Sequence, residues 1–182
     1  STPTKTPVAT ATPTATAAVC ANNLVQNPSF ELVDGVGAPK LWVLESGEMG
    51  TVAAYNPPDG TRVGYVWGIS SGNPGVMTQK VNAVAGTTYT MVFYSGTHTP
   101  SVNPTIEIRF YNASNVEIGT AAVHVITTDI DNTNSLGGPY TLTASAPTGV
   151  SYLKVIFRDP SSTKAGAKGD SGQGDLLGVG YP

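Results

Sequence analysis

Residues 76–94, VMTQKVNAVAGTTYTMVFY, contain two strand-like segments on either side of a turn. The segments Val76–Val81 and Thr87–Tyr94 are rich in valine, threonine and aromatic residues, which favour β-strands. Gly86 lies between them, where a turn needs a permissive residue. The second segment alternates Tyr89, Met91 and Phe93 with Thr88, Thr90 and Val92. Alternation with a period of two predicts a strand that buries one face.

Segments of the same character recur at short intervals along the rest of the chain. The predicted strands are Leu41–Leu44, Thr51–Tyr55, Arg62–Trp67, Val76–Val81, Thr87–Tyr94, Thr105–Tyr111, Glu117–Ile126, Tyr140–Ala144 and Val150–Phe157. Turn-forming stretches such as NPPDG, SSGNPG and DIDNTNSLGGP separate them, and no window shows useful helical periodicity. Short strands separated by Gly, Pro and Asn turns indicate an all-β sandwich or barrel.

Two of the predicted strands also assign residues to an inner and an outer face. The inner sets are Ile106, Ile108 and Phe110 in one strand, and Leu153, Val155 and Phe157 in the other. The outer sets are Glu107, Arg109 and Tyr111, and Lys154. We expect the first outer set to form a mixed polar row at the surface.

The overall composition excludes several classes of function. Charged residues make up 12% of the chain and the net charge is -3, so no basic field for nucleic acid or anionic lipid is expected. No apolar run approaches the roughly 20 residues that a membrane-spanning helix needs. The opening residues, STPTKTP, lack the form of a signal peptide, so a secreted protein would already have lost its signal. The single cysteine, Cys20, allows no internal disulfide.

Residues 1–21 differ in composition from the rest of the chain and are interpreted as an extended Thr/Pro-rich tail, followed by one domain over residues 22–182. Such tails are common in secreted proteins, which predicts an extracellular or cell-surface location. The tail is either a flexible spacer or a strand added to a sheet edge of a neighbouring copy. In the second case its small apolar residues would make the subunit contact, namely Val8, Ala9, Ala11, Ala15 and Val19.

Several motifs occur in a familiar order along residues 22–180. They are NNLVQNPSFE at residues 22–31, Trp42 with the following ESG, GYVW at 64–67, VMTQKV at 76–81, AGTTYT at 85–90, and YTLTASAPTGV at 140–150. Together they resemble jelly-roll carbohydrate-binding modules, galactose-binding-like β-sandwiches of secreted and surface proteins in bacteria and archaea. The resemblance implies a jelly roll of about nine to eleven antiparallel strands. It also implies that Trp42 is buried.

The resemblance further implies one structural calcium ion between the opening segment and a closing acidic strand. Matching positions are Glu31 and Asp175, with Asp34, Glu45 or Glu48 completing an oxygen ligand set. The family often closes with two acidic residues, whereas this chain reads Gly174-Asp175-Leu176 and keeps one. The alternative is that Glu31 forms hydrogen bonds at a strand end.

Exposed aromatic rings flanked by polar groups are the candidates for binding sugar. We select Trp67 with Tyr65, which share a face, and Tyr111 with Arg109; the alternatives are core packing and an ordinary solvated face. Asn112-Ala113-Ser114 fits the acceptor pattern for N-glycosylation.

No arrangement of residues predicts catalysis. His98 and His124 lie in separate segments, and Asp129 and Asp131 share the loop DIDNTN, which is interpreted as a surface turn or a weak cation site. Two functions remain. The first is a non-catalytic structural or adhesive subunit that self-assembles into an extracellular filament through its tail, because low charge and Thr-rich faces suit close packing. The alternative is the glycan-binding module of a secreted polysaccharide-active enzyme.

Overall fold

A computed structural model describes residues 23–69, 73–98 and 103–160, together with the backbone of 175–178. These residues form ten strands and a single helical turn. The strands are β1 (Val43–Ser46), β2 (Glu48–Val52), β3 (Val63–Trp67), β4 (Gly75–Asn82), β5 (Thr88–Gly96), β6 (Thr105–Tyr111), β7 (Glu117–Val125), β8 (Gly137–Ser145), β9 (Tyr152–Asp159) and β10 (Asp175–Gly178), and the helix is α1 (Ile130–Thr133).

The strands form two five-stranded sheets. The first has the order β1-β4-β9-β6-β7 and the second the order β2-β3-β10-β5-β8. All pairs of named strands are antiparallel. Most connections between consecutive strands cross from one sheet to the other. Consecutive strands β4 and β5, which flank the turn at Gly86, therefore lie in different layers. This is a jelly-roll sandwich, and the predicted all-β fold class is confirmed.

The space between the sheets is filled by the residues that the alternation assigned to inner faces. Phe93, Ile106 and Phe110 are at most 1% exposed. Trp42 is buried as predicted, with its ring 5.2 Å from that of Phe30 and 5.1 Å from that of Phe157. Large apolar side chains from both sheets thus interdigitate, which is the main source of stability for a sandwich.

One local expectation was wrong. Glu107 is only 3% exposed, although it points to the outer face of its sheet, because Arg109 and Arg158 lie against its carboxylate.

The loop DIDNTN, interpreted as a surface turn or a weak cation site, contains the single helical turn α1, and residues 131–134 are exposed. Ile130 of this helix is 1% exposed and packs on Gly96, where a Cβ atom would lie 2.2 Å from the Ile130 side chain.

The motif NPSFE is explained by the turn that it makes before the first strand. The Asn27 side chain donates to the carbonyls of Leu32 and Lys40 and accepts from the Leu32 N–H, all at 2.9 Å. Phe30 adopts a φ of 60°, which a bulky residue rarely does, and is fully buried. Gly64 makes room for it, because a Cβ atom there would lie 2.5 Å from the Phe30 ring.

Gln79 of β4 holds the same segment from the opposite side. Its Oε1 accepts from the Gln26 N–H at 2.6 Å, and its Nε2 donates to the carbonyls of Gln26 at 2.8 Å and Leu41 at 3.0 Å. The side chain is 5% exposed. Since irregular backbone must satisfy its polar groups before it can be buried, this amide takes the place of a neighbouring strand.

Replacing Gln79 with alanine should destabilise the fold by about 2–4 kcal/mol, because it leaves buried backbone groups without partners. Gln26→Ala is the matched control: it removes the same side chain from an exposed position and should change the free energy of unfolding by less than about 0.5 kcal/mol. Urea denaturation measures both. Equal effects of the two substitutions would show that the buried amide does not hold the segment.

Candidate glycan-binding faces

The outward side chains of β4, β9 and β6 form a continuous surface on the first sheet, here called the β9 face. Strand pairing aligns them in rows. The rows are Asn82, Tyr152 and Tyr111; then Lys80, Lys154 and Arg109; then Thr78, Ile156 and Glu107. Tyr152 and the whole third row are at most 4% exposed, so the accessible part of the face consists of the other five side chains. The second sheet packs on the other side of these strands, so this face points away from the core.

Two tyrosines form the aromatic part of the β9 face. The rings of Tyr111 and Tyr152 are stacked 5.1 Å apart at an angle of 10°. The Nζ of Lys80 lies 3.8 Å from the centre of the Tyr152 ring, and that of Lys154 lies 5.4 Å from the Tyr111 ring. Desolvation, followed by the nearby Glu117 carboxylate, raises the pKa of Tyr111. Tyr152 is only 4% exposed, so Tyr111 is the ring of this pair that solvent reaches, and two ammonium groups lie beside the pair.

A charged network continues from the tyrosines. Glu107 accepts hydrogen bonds from Arg109, from Arg158 at 3.2 Å and from Thr105 at 2.8 Å. Desolvation raises the pKa of Glu107, but the hydrogen bonds and the positive charge of the arginines outweigh it, and the net pKa is below the ordinary value. Arg109 also donates to Glu117 at 2.8 Å. The side chains are thus held in fixed orientations before any ligand arrives.

Tyr65 and Trp67 lie on the outer face of the second sheet, on the opposite side of the sandwich. Their rings are stacked 4.8 Å apart at 27°, and Trp67 Nε1 donates to Glu48 at 2.7 Å. Tyr65 also packs against the buried pair Val63 and Ile130 and lies over Gly50. Desolvation and the Glu48 carboxylate raise the pKa of Tyr65. Tyr65 therefore covers a small apolar cluster as well as facing outward.

The structure therefore separates the four predicted glycan-binding residues into two pairs. Tyr111 and Arg109 are neighbours on the β9 face, whereas Tyr65 and Trp67 lie on the far face. Sequence reasoning missed Lys80, Lys154 and Tyr152 as members of the first group. Their strands are distant in the chain, and only the strand order and register bring them together.

Glu31, predicted as a calcium ligand, holds a turn. Its carboxylate accepts from the backbone N–H of Thr61 and of Arg62, each at 2.7 Å, and from the Thr61 hydroxyl at 3.1 Å. The predicted additional ligands have other partners: Asp34 accepts from Val36 and Ala38, Glu45 from Thr78 and Lys154, and Glu48 from Trp67.

The Asp175 side chain lies outside the described residues. Among those that are described, no three acidic, histidine or cysteine side chains lie close enough together to hold a metal. Calcium binding stays a prediction.

The remaining predicted sites are placed as follows. Asn112 Oδ1 accepts from the backbone N–H of Ser114 and of Val116, both at 3.0 Å, and so closes the hairpin between β6 and β7. Its glycosylation stays a prediction. The five tail residues predicted as subunit contacts, and Cys20, lie outside the described residues.

The two histidines have different surroundings. His98 contacts two side chains from other segments: its Nδ1 lies 2.5 Å from Asp131 Oδ1, and its Nε2 lies 3.4 Å from the Tyr55 hydroxyl. His124 packs between Phe93 and Tyr140, and desolvation lowers its pKa.

Comparisons with known proteins support the fold. The enzymatically active domain of tailspike protein 4 from bacteriophage CBA120 matches with a TM-score of 0.62 and 16% identity, over 85% of this chain and 20% of that chain. A family 16 carbohydrate binding module matches with a TM-score of 0.59 and 16% identity, over 88% of this chain and 98% of that chain. No protein-family model and no curated protein sequence matches the chain.

At this level of identity the matches show the fold alone, and they confirm that the chain has the jelly roll of a carbohydrate-binding module, as the motifs predicted. The match spans only a fifth of the tailspike chain and nearly all of the module. In the described part of the chain, no helix is long and apolar enough to span a membrane.

Glu31→Gln should destabilise the fold by about 1 kcal/mol at neutral pH and reduce its sensitivity to acid. Desolvation raises the pKa of Glu31, but the hydrogen bonds from Thr61 and Arg62 bring it below the ordinary value of 4.5. The contribution of Glu31 is therefore complete above that value and is lost as the pH falls through the lower folded-state pKa.

Thermal melts between neutral pH and pH 3, with and without calcium, measure the pH-dependent contribution of Glu31 to stability. Asp59→Asn, at an exposed carboxylate, is the control. Glu31→Gln melting like the wild type at every pH would contradict the role of Glu31 in the turn. Identical wild-type midpoints with calcium and with a chelator would reject the predicted calcium site.

Proposed function

We propose that this chain is a non-catalytic, extracellular glycan-binding module whose polysaccharide ligand lies along the β9 face. The observation that carries the proposal is the fixed pair of Tyr111 and Arg109, with stacked tyrosines and an oriented ion-pair network on one sheet surface. The likeness to a whole family 16 carbohydrate binding module supports it, because binding carbohydrate is what that domain is named for.

The chemistry of the face suits a sugar. Pyranose rings present C–H groups that pack on aromatic rings and hydroxyl groups that need donors and acceptors in fixed positions. Arg109 has five N–H groups, and its recorded bonds to Glu107 and Glu117 use two of its nitrogens. Since the network is already ordered, binding would lose little side-chain entropy.

The β9 face is preferred over Tyr65 and Trp67 because its accessible Tyr111 lies within an ordered network of charged side chains. On the far face, Tyr65 also packs against an apolar cluster, and Glu48 accepts a hydrogen bond from Trp67. A sugar-binding site needs polar groups in fixed positions beside its aromatic ring.

The hypothesis that this chain is a self-assembling filament subunit has weaker support than the glycan-binding proposal. It depends on residues 1–21, which lie outside the described residues, and nothing in the described part of the chain favours a self-assembling subunit. The comparisons favour the alternative reading, in which the chain is a glycan-binding module. As part of a larger secreted enzyme, such a module would hold the catalytic domain near its polysaccharide.

Tyr111→Ala should weaken polysaccharide binding at least tenfold, because stacking and the orientation of Arg109 and Lys154 are lost together. Tyr111→Phe keeps the ring and should bind like the wild type. Trp67→Ala removes an aromatic ring from the far face and should leave affinity unchanged. Affinity electrophoresis against a panel of polysaccharides, followed by calorimetry on those that bind, gives the comparison.

Circular dichroism spectra of each variant control for folding. Loss of binding with Trp67→Ala and not with Tyr111→Ala would move the site to the opposite face. If the folded wild-type chain bound no member of a broad panel, the glycan-binding function itself would be rejected.

A further inference from the structure

We infer that the β9 face binds an anionic polysaccharide, one whose sugars carry carboxylate or sulfate groups, and that the row of Lys80, Lys154 and Arg109 receives those groups. The inference rests on the proposed function and specifies its ligand class. The observation behind it is that three cations occupy directly opposite positions on three adjacent strands.

Strand pairing places the three cations in one line. Lys80 of β4 is the register partner of Lys154 of β9, and Lys154 is the partner of Arg109 of β6. Side chains directly opposite each other in an antiparallel pair have Cβ atoms roughly 4.5–5.5 Å apart, and like charges there are destabilising. Folding alone would favour neutral or alternating residues in this row.

The carboxylates of the face compensate the three cations unequally. Lys154 pairs with Glu45, and Arg109 pairs with Glu107 and Glu117. Lys80 has no carboxylate within ion-pair distance among the described residues, and its recorded contact is the Tyr152 ring. One ammonium group is therefore exposed and unneutralised at the edge of the tyrosine platform.

The charge distribution of the domain agrees with this assignment. Between residues 23 and 160 the sequence has six lysines and arginines and ten aspartates and glutamates. Four of the six cations lie on the β9 face, namely Lys80, Arg109, Lys154 and Arg158, against three of the ten acids. Within the described residues, the face therefore carries a small excess of positive charge, on a chain whose net charge is -3.

The tyrosine row and the cation row are arranged to hold two parts of one sugar. They are two residues apart along each strand, which is about 7 Å. Tyr152 is buried under Tyr111 and Lys80, so the sugar ring would lie on Tyr111. An attached carboxylate or sulfate would then be within reach of the cation row at Lys80 and Lys154. The ammonium groups would form charge-assisted hydrogen bonds to it, which are stronger than those to a neutral hydroxyl.

The first test compares charged and neutral forms of the same polymer. Polygalacturonate should bind, and its fully methyl-esterified form should bind at least tenfold more weakly. Dextran sulfate against dextran tests sulfate in the same way and distinguishes the two anions. Affinity for the anionic polymers should fall as sodium chloride is raised from 0.05 to 0.5 M, because salt screens exposed charges.

The second test removes one charge from the row. Lys80→Gln should weaken binding of the anionic polymer about tenfold, which corresponds to the loss of one charge-assisted contact. Lys40→Gln removes the same charge from an exposed position outside the face and should leave binding unchanged. Thermal unfolding of both variants confirms that each is folded.

The inference is overturned if polygalacturonate binds no more tightly than its methyl ester and dextran sulfate binds no more tightly than dextran. The inference is also overturned if Lys80→Gln binds the anionic polymer as tightly as the wild type. An equal loss of affinity in Lys40→Gln would overturn it too, because it would indicate attraction to charge in general. Binding of neutral polymers alone, abolished by Tyr111→Ala, would overturn this inference and leave the glycan-binding function in place. Absence of binding to every polymer would reject both.

Discussion

Two buried amide side chains, those of Gln79 and Asn27, hold the irregular segment before β1 against the sandwich. This segment has no strand partner along most of its length, yet it delivers Phe30 and Trp42 to the centre of the core. Its backbone groups would be costly to bury without these amides, which together make six hydrogen bonds to it. The attachment to Gln79 of β4 also holds the residue before Trp42, whose ring packs directly on Phe157 of β9.

Three of the motifs that indicated the fold have structural roles. Asn27 and Phe30 of NPSFE shape the first turn, Gln79 of VMTQKV holds it, and Tyr89 of AGTTYT accepts a hydrogen bond from the Val84 N–H at 2.9 Å. These roles are local or involve buried groups that few residue types can replace, so they leave a readable pattern in the sequence. The fold was predictable for that reason, and so were the inner faces of β5, β6 and β9.

The candidate site was less predictable because it is built across strands. Alternation placed Tyr111 and Arg109 on an outer face, but it could not show that β9 lies between β4 and β6, nor that Lys80, Lys154 and Arg109 share a row. It also could not anticipate that Glu107 is buried on an outer face, since burial there comes from two arginines on different strands. Strand order and register are set by long-range contacts, which a single sequence does not display.

The sharing of Glu107 between Arg109 and Arg158 has a consequence for how this surface could change its specificity. A buried carboxylate that loses one arginine is left with uncompensated charge, so a single replacement at Arg109 alters the remaining partners as well as the ligand contact. Specificity on this face would therefore evolve, or be engineered, by coordinated replacement of pairs across strands. By contrast, Lys80 has no carboxylate partner in the described part of the chain and can be exchanged on its own. Replacing Lys80 should therefore disturb the fold less than replacing Arg109, which makes it the better position to vary when altered binding is sought.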